Sequence, residues 1–461
     1  AHDVQDIHEA LADNKNLSET TDRLITIINH CYSKNMKAVC FVTGVPGAGK
    51  TLVGLNTIHD PRFRDENIEA GAYLSGNTPL VEVLREALAR DEVKRTGCSK
   101  QDALRRTKAQ IQLLMRYLDH YLISNIADTP DSHVVVFDEA QRAWDAAYGQ
   151  QRFNRTSSEP ELFLEIMSRH DDWAVIIALV GGGQEINKGE GGLEEWGTAI
   201  EKYNQSHGDN WIIYATDHVI QGSTVTAGGA LYPNGVPAEV HVIQDLALHL
   251  PVSVRSHRCD VLNDWFESVL NREPDVAYRI SQSVNDFPVY MTRSLETMRE
   301  WLSTTTRGMR RSGLVASSDA KRLRRYGLGV TLSTKELSGI TNWFLCEKGD
   351  VRSSYQLEVT ATEYACQGLE LDNVGLCWGG DMTWSSDLGQ WVYKRFVGTR
   401  WVSANEDKAD QIKNTYRVLL SRARYSLVIW VPPGDKNDKT CPVEEMNQTA
   451  DYFESCGIRT P

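Results

Sequence analysis

The sequence predicts an α/β protein in which parallel sheets are flanked by helices. Short apolar, β-branched runs alternate with segments of helical period, the same alternation recurs in the second half, and an early strand-to-helix turn is built from glycines. At 461 residues the chain is long enough for about two to four domains, each with its own core.

The elements run in order along the chain. Leu24, Ile27, Ile28 and Cys31 lie at helical spacing, with Ser18 as the N-cap and an end near Asn35. Ala38 to Thr43 is a strand that runs into glycines, and Leu52, Val53 and Leu55 open the next helix. Further strands are expected at Ala72 to Leu74, His133 to Phe137, Ala174 to Val180, Trp211 to Tyr214 and Val240 to Val242. The intervening helices are Pro79 to Arg90, Gln101 to Ile126 and Glu159 to Arg169. Residues 222–237 read as a connector, with Pro233-Asn234-Gly235 as a hairpin-turn signal. The second half offers apolar strand-like runs at Gly313 to Ala316, Trp343 to Cys346, Gln356 to Thr360, Val374 to Trp378 and Ser426 to Val431. The expected domains are a helical segment over 1–36, an α/β domain with helical and hairpin insertions over 37–246, and a second α/β domain over 247–461.

Composition removes several function classes. With 49 Lys plus Arg against 62 Asp plus Glu, the formal charge is −13, so the chain does not coat nucleic acid by bulk charge; such binding requires a local basic groove. No apolar run approaches the roughly 18–20 residues that cross a bilayer: the best, Trp173 to Val180, stops at Gly181-Gly182-Gly183. No basic stretch followed by an apolar one opens the chain, and a cytoplasmic address is expected. Ala1 fits initiator removal and a domain cut from a longer protein equally well. The nine cysteines are scattered and never spaced C-x2-C, which points to free thiols in a reducing compartment. The twelve histidines are mostly isolated, and no nuclease or metal-ligand cluster is expected among them.

The chemistry begins at Gly44, Val45, Pro46, Gly47, Ala48, Gly49, Lys50 and Thr51, which fit G-x-x-x-x-G-K-[ST] between a strand and a helix. Glycines let backbone N–H groups wrap phosphates, the helix N-terminus adds its positive end, Lys50 reaches the β- and γ-phosphates, and the Thr51 hydroxyl takes a Mg²⁺ position. A second element, Val134-Val135-Val136-Phe137-Asp138-Glu139-Ala140-Gln141, delivers two carboxylates at a strand's C-terminal end. Asp138 can hold Mg²⁺, and Glu139 can orient and deprotonate an attacking water.

Together with segments further along the chain, these residues resemble superfamily 1 helicases. Asp138-Glu139-Ala140-Gln141 is similar to that group's second nucleotide motif. Leu179 to Ile186 is similar to the third, with Gln184 sensing the γ-phosphate, although the usual Asp after the first Gly is absent. Leu250 to Ser256 resembles the fourth, with Arg255 as an arginine finger. Thr362 to Glu370 resembles the fifth, with Tyr364 in place of the frequent His, and Tyr416 to Arg424 the sixth, with Arg422 as second finger. The wording Gly-Gly-Gly-Gln-Glu-Ile, Cys-Gln-Gly-Leu-Glu-Leu and Tyr-Arg-Val-Leu-Leu-Ser-Arg-Ala-Arg is similar to a bacterial helicase family of unassigned function related to the helicase-like part of Schlafen proteins. The resemblance spans about Leu17 to about Pro432. It implies two RecA-like P-loop NTPase domains, ATP and Mg²⁺ as cofactors, and nucleotide contacts at Gln141, Gly368 and Glu370. The adenine-reading Gln has no counterpart in Leu17 to Asp22, which leaves the base open. Arginines supplied across a cleft would couple hydrolysis to closure of the two halves.

Nucleic-acid contacts are expected at Ser75, Asn77 and Thr78, where such helicases place a strand-end loop; a plain helix cap before Leu80 is the competing reading. The resemblance adds Tyr364 and Gln367. Arg307, Arg310, Arg311, Lys321, Arg322, Arg324 and Arg325 cluster around a single acid, Asp319, between Trp301 and Tyr326. Such a run reads as a single-strand groove, led by Arg322 and Arg325, or as a solvated helix face. The function expected is a Mg²⁺-dependent, NTP-hydrolysing helicase or translocase on single-stranded DNA or RNA, with additional domains or subunits as further partners and no membrane. The alternative is a nucleotide-gated nucleic-acid switch that does not unwind.

Overall fold

The computed structural model describes residues 4–45, 47–62, 71–181, 191–207, 210–251, 257–284, 287–308, 310–328, 332 and 337–461, without the side chains of 4–15, 207 and 257–260. The chain divides into two compact units: residues 1–76 with 88–256, and residues 77–87 with 257–461.

The first unit is built on strands β1 (Lys37–Gly44), β2 (Ala72–Ser75), β3 (Ile111–Leu113), β4 (Val134–Phe137), β5 (Ala174–Leu179), β6 (Trp211–Ala215), β7 (Val242–Gln244) and β8 (His249–Leu250). Their order is β3-β2-β4-β5-β1-β6-β7, with β8 beside the end of β1, and every pairing is parallel. All eight residues of β1 are buried, as a strand covered by helices on both faces requires. Trp196, from the helix Gly192–His207, meets Phe41 and Phe137 edge-on at 5.9 and 5.5 Å. One aromatic anchor thus braces two strands that lead to the candidate site.

The second unit carries β9 (Val289–Thr292), β10 (Ser312–Ala316), β11 (Thr360–Ala361), β12 (Leu371–Cys377), the antiparallel meander β13 (Met382–Ser385), β14 (Gln390–Val397) and β15 (Arg400–Ser403), and β16 (Ala423–Trp430). The parallel sheet has the order β11-β10-β12-β16-β9. Trp378 packs on Tyr416, centroids 4.2 Å apart, and edge-on to Phe453. The expected α/β class with two parallel sheets is therefore the observed one.

Several elements differ from expectation. The first helix spans Val4–Lys34, so Ser18 is an exposed mid-helix residue rather than a cap; serine facing solvent is tolerated there. The single helix expected over Gln101 to Ile126 is broken into Lys100–Gln110, β3, Leu114–Asp119 and a π-helical turn. Ile111 turns extended, with φ −118° and ψ 115°, because β2 offers it a parallel partner at Tyr73. Trp343 is not in a strand but in the helix Leu337–Leu345, whose Leu337, Ile340 and Phe344 carry a helical period. Pro233-Asn234-Gly235 forms a turn, Gly235 N donating to Tyr232 O at 3.0 Å, but no strands flank it. The eight cysteines whose side chains are described are free. Among the described residues, no helix is long and apolar enough to cross a membrane.

The helix Lys50–Ile58 sits directly on the sheet at Gly54. A Cβ there would lie 2.9 Å from Val136 Cγ1, 3.0 Å from Leu179 Cδ1 and 3.2 Å from Tyr73 Cε2. Alanine gains about 1 kcal/mol of helix propensity over glycine, but overpacking costs about 1–3 kcal/mol. Gly54→Ala is therefore expected to lower the stability of the first unit, read as an earlier denaturant midpoint; an unchanged or later midpoint would show that the helix is not seated as described.

Candidate functional site

The site grows from the end of β1. There Gly44 turns under Leu250: Val45 N donates to Leu250 O at 3.2 Å. A Cβ on Gly44 would lie 2.8 Å from Leu250 Cβ and 3.1 Å from Ala48 Cβ, so this close approach accepts no side chain. Gly47 and Gly49 come next at φ 76° and 84°, left-handed values that glycine takes without cost. The loop so formed opens the helix Lys50–Ile58 with Thr51 in its first turn. Lys50 folds its ammonium back to donate to Gly44 O at 2.9 Å and, more weakly, to Val45 O at 3.4 Å. Pro46 lies outside the described residues.

Strand order sets the distance to the acids. β5 lies between β1 and β4, so the two strands leave the sheet about 10 Å apart at their axes, and their side chains reach toward each other across β5. Asp138 is buried, and its N–H donates to Leu74 O at 2.9 Å. Burial, reinforced by the charge of Glu139 and opposed first by the Tyr73 hydroxyl and then by Lys50, pushes its carboxyl up to about 7. The fully buried Tyr73 hydroxyl lies between Asp138 and Thr51 and interacts with both, and burial, with the charge of Asp138 second, holds its phenol well above the usual range. A buried carboxylate and a helix-start hydroxyl, both reached by the Tyr73 phenol, are fitting oxygen donors for a hard divalent cation such as Mg²⁺.

Glu139 is held differently. Its backbone is left-handed, φ 56° and ψ 47°, a strained value for a residue with a Cβ, of a kind found at functional sites. The strain is fixed by neighbours: Gln141 Nε2 donates to Glu139 Oε2, and Gln141 Oε1 accepts from Gly181 N at 2.8 Å. Trp196 Nε1 closes the turn by donating to Ala140 O at 2.9 Å. A Cβ on Gly181 would sit 2.8 Å from Glu139 Oε2 and 3.1 Å from Gln141 Nε2, so a side chain there would push both of these side-chain ends aside. Gln141, expected at the nucleotide, thus bridges the acidic turn to the start of the Gly181 loop. Gln184 and Arg255 lie outside the described residues.

The remaining expected residues belong mostly to the second unit. Asn77 Oδ1 caps the helix Thr78–Thr96 at Leu80 N, 3.3 Å away, and its Nδ2 donates to Gln367 O at 2.7 Å. The cap reading and a link to the Gln367 loop therefore hold together at one residue. Ser75, in the first unit, is buried, while Thr78 is half-buried and Gly368, at φ 72°, is exposed. Arg422 is buried, its guanidinium donating to Val418 O, Cys366 O, Leu369 O and Ser421 Oγ at 2.9 to 3.4 Å. It ties the fifth and sixth motif segments together. The more exposed guanidinium is Arg424, 3.9 Å from Glu370. Tyr364 is 59% exposed, while its neighbour Glu363 is buried and accepts from Ser318 N and Oγ.

The basic run forms a short 3₁₀ helix, Lys321–Tyr326. Arg322 pairs with Asp438 at 2.7 Å, and Arg325 with Asp438 at 2.6 Å and Asp435 at 2.5 Å. Two acids more than a hundred residues downstream thus neutralise the two leading cations of the run, which the sequence could not show. Tyr326 is likewise engaged, edge-on to Trp430 at 5.1 Å. Sequence reasoning placed Gly181 in the third-motif segment but missed Tyr73 and Trp196, which carried no signal in the sequence.

A family model described as Schlafen group 3, DNA/RNA helicase domain, matches residues 37–433. No curated protein matches the chain. Two solved structures are similar: Mss116p, with N-terminal extension and C-tail deleted, bound to ssRNA and AMP-PNP, at 11% identity and TM-score 0.38, and the DEAD-box helicase Mss116 bound to ssRNA and UDP-BeF, at 12% and 0.34. They cover 98% and 96% of this chain, which covers 80% of each; a likeness of this degree is too weak to bear on function.

The raised Asp138 carboxyl has a stability consequence. A group whose folded value lies above its ordinary 3.8 stabilises fully below 3.8 and loses that contribution as pH rises through about 7. Asp138→Asn removes the titration. The variant is expected to melt above the unsubstituted protein at pH 8 with the gap narrowing at pH 5, and equal gaps at both pH values would contradict the burial described.

Proposed function

The chain belongs to the Schlafen group 3 DNA/RNA helicase domain family, and from that premise we propose that it is a Mg²⁺-dependent nucleoside triphosphate hydrolase, with ATP as the expected nucleotide, acting on single-stranded DNA or RNA. The observation that carries the reading is that in the first unit Lys50 and Glu139 both act on Asp138, with Glu139 fixed through Gln141 to Gly181.

In this reading Lys50 leaves the carbonyls of Gly44 and Val45 and donates to the β- and γ-phosphate oxygens. The loop N–H groups and the helix start hold the remaining phosphate charge. Thr51 and Asp138 would hold Mg²⁺, which when bound neutralises charge on the phosphates. Glu139 orients the attacking water and accepts its proton, and Gln141 keeps that carboxylate aimed. Exposed Tyr364, with Thr78 and Gln367, is the proposed nucleic-acid side of the second unit, and Arg422 is read as the residue that answers nucleotide state there. Because its donors hold the Cys366 and Leu369 carbonyls, a nucleotide-gated switch that moves this loop without unwinding duplex is the second reading.

Steady-state hydrolysis of ATP and GTP, with and without single-stranded DNA or RNA, tests the proposal. Lys50→Ala and Glu139→Gln are each expected to lower kcat by about 10²-fold or more. Gln141→Ala should lower kcat while leaving KM near its starting value, since it only positions Glu139. Full activity in Lys50→Ala or Glu139→Gln would place the chemistry elsewhere. Stimulation by a polymer together with strand displacement favours the motor, and stimulation without displacement favours the switch.

A further inference from the structure

The entrances of β4 and β5, at the opposite end of these strands from Asp138, hold a second cluster of donors. His133 immediately precedes β4, and His170 and Asp172 precede β5. One ligand atom from each lies within 4.8 Å of the others. His133 Nε2 is 3.2 Å from Asp172 Oδ1. The two imidazole centroids lie 3.9 Å apart with the rings tilted by 31°, and His133 also stacks on Trp173 at 4.6 Å. The sheet fixes the spacing: Val175 N donates to His133 O at 2.8 Å, and Trp173 N donates to Asp172 Oδ1 at 2.7 Å.

One atom here has no structural account. His170 is only 4% exposed, its ring is hydrogen-bonded to the Ser132 backbone, and its Nε2 is buried with no partner. Buried polar atoms are nearly always paired. A histidine with one nitrogen tied to the backbone and the other free is the usual state of a metal ligand, because the tie fixes ring orientation. Asp172 is half-exposed and His133 partly so, which leaves a path for an ion and room for water. The sequence did not suggest this grouping, because thirty-six residues separate His133 from His170.

We propose that His133, His170 and Asp172 bind a divalent transition metal of the Zn²⁺ class, completed by water, at the strand entrances of the first unit. Metal–ligand bonds of about 2.0–2.2 Å place tetrahedral ligands about 3.3 Å apart, which His133 Nε2 and Asp172 Oδ1 already meet. Two imidazoles and a carboxylate suit Zn²⁺, Co²⁺ or Ni²⁺ better than Mg²⁺, which prefers oxygen. The ion would staple β4 to β5. The site is about 17 Å from Asp138 along the extended strand, so it is separate from the nucleotide chemistry.

Full-length protein, stripped with chelator under reducing conditions, is titrated with Zn²⁺ by calorimetry and with Co²⁺ by visible absorption, and its melting temperature is read with and without Zn²⁺. The expected result is one equivalent bound, a rise in melting temperature of several degrees, and Co²⁺ d–d bands without a thiolate charge-transfer band. His170→Ala should abolish all three. Asp172→Asn, exposed and harmless to packing, should weaken affinity at least about tenfold, so the test survives if His170→Ala fails to fold. Asp138→Asn should leave the signals intact. Binding that persists in Asp172→Asn and His133→Gln, binding lost in Asp138→Asn, or no binding by the unsubstituted protein overturns the proposal.

Discussion

The candidate site depends on one packing constraint, the passage of β1 through the centre of the first sheet into a turn with no room for side chains. β1 is buried over its full length between β5 and β6, and its last residues are covered by β8. The chain must therefore leave through Gly44 against Leu250 and wind through the left-handed Gly47 and Gly49 to the helix that carries Lys50 and Thr51. A rigid strand thus aims a loop of backbone donors, which is how a fold presents an anion site with little reorganisation.

The same sheet imposes an electrostatic cost that the candidate chemistry would relieve. Asp138 is buried beside a second carboxylate, and burial of charge is unfavourable unless it is matched. Glu139 sits in a strained conformation held by Gln141 and Gly181. Proteins retain such local costs where function requires them, and the surrounding core supplies the stability. Here that core is aromatic: Trp196 touches the strands of both the loop and the acids and bonds the turn that follows the acids.

In the second unit the arginines serve first as internal ties. Arg422 gathers carbonyls from two motif segments, and Asn77 reaches the adjacent Gln367 carbonyl. The loop of Gln367 and Gly368 is thereby connected to both. A residue that fixes a loop by several hydrogen bonds is also one whose release would free it, which is the local requirement for a switch.

The sequence determined the α/β class, the eight-residue loop that ends in Lys50 and Thr51, the acidic strand end and the family, since each is written in contiguous residues: a strand period, a glycine spacing, a pair of carboxylates. Only tertiary structure decided what depends on residues distant along the chain. Ile111 became a strand because Tyr73 was there to pair with it. Arg322 and Arg325 lost their free charge to Asp435 and Asp438. Tyr73 came to lie beside Asp138 and Thr51, and His133, His170 and Asp172 converged where two strands begin. Local pattern fixes which element forms, but charge neutralisation and ligand convergence are set by strand order, which no short stretch of sequence contains.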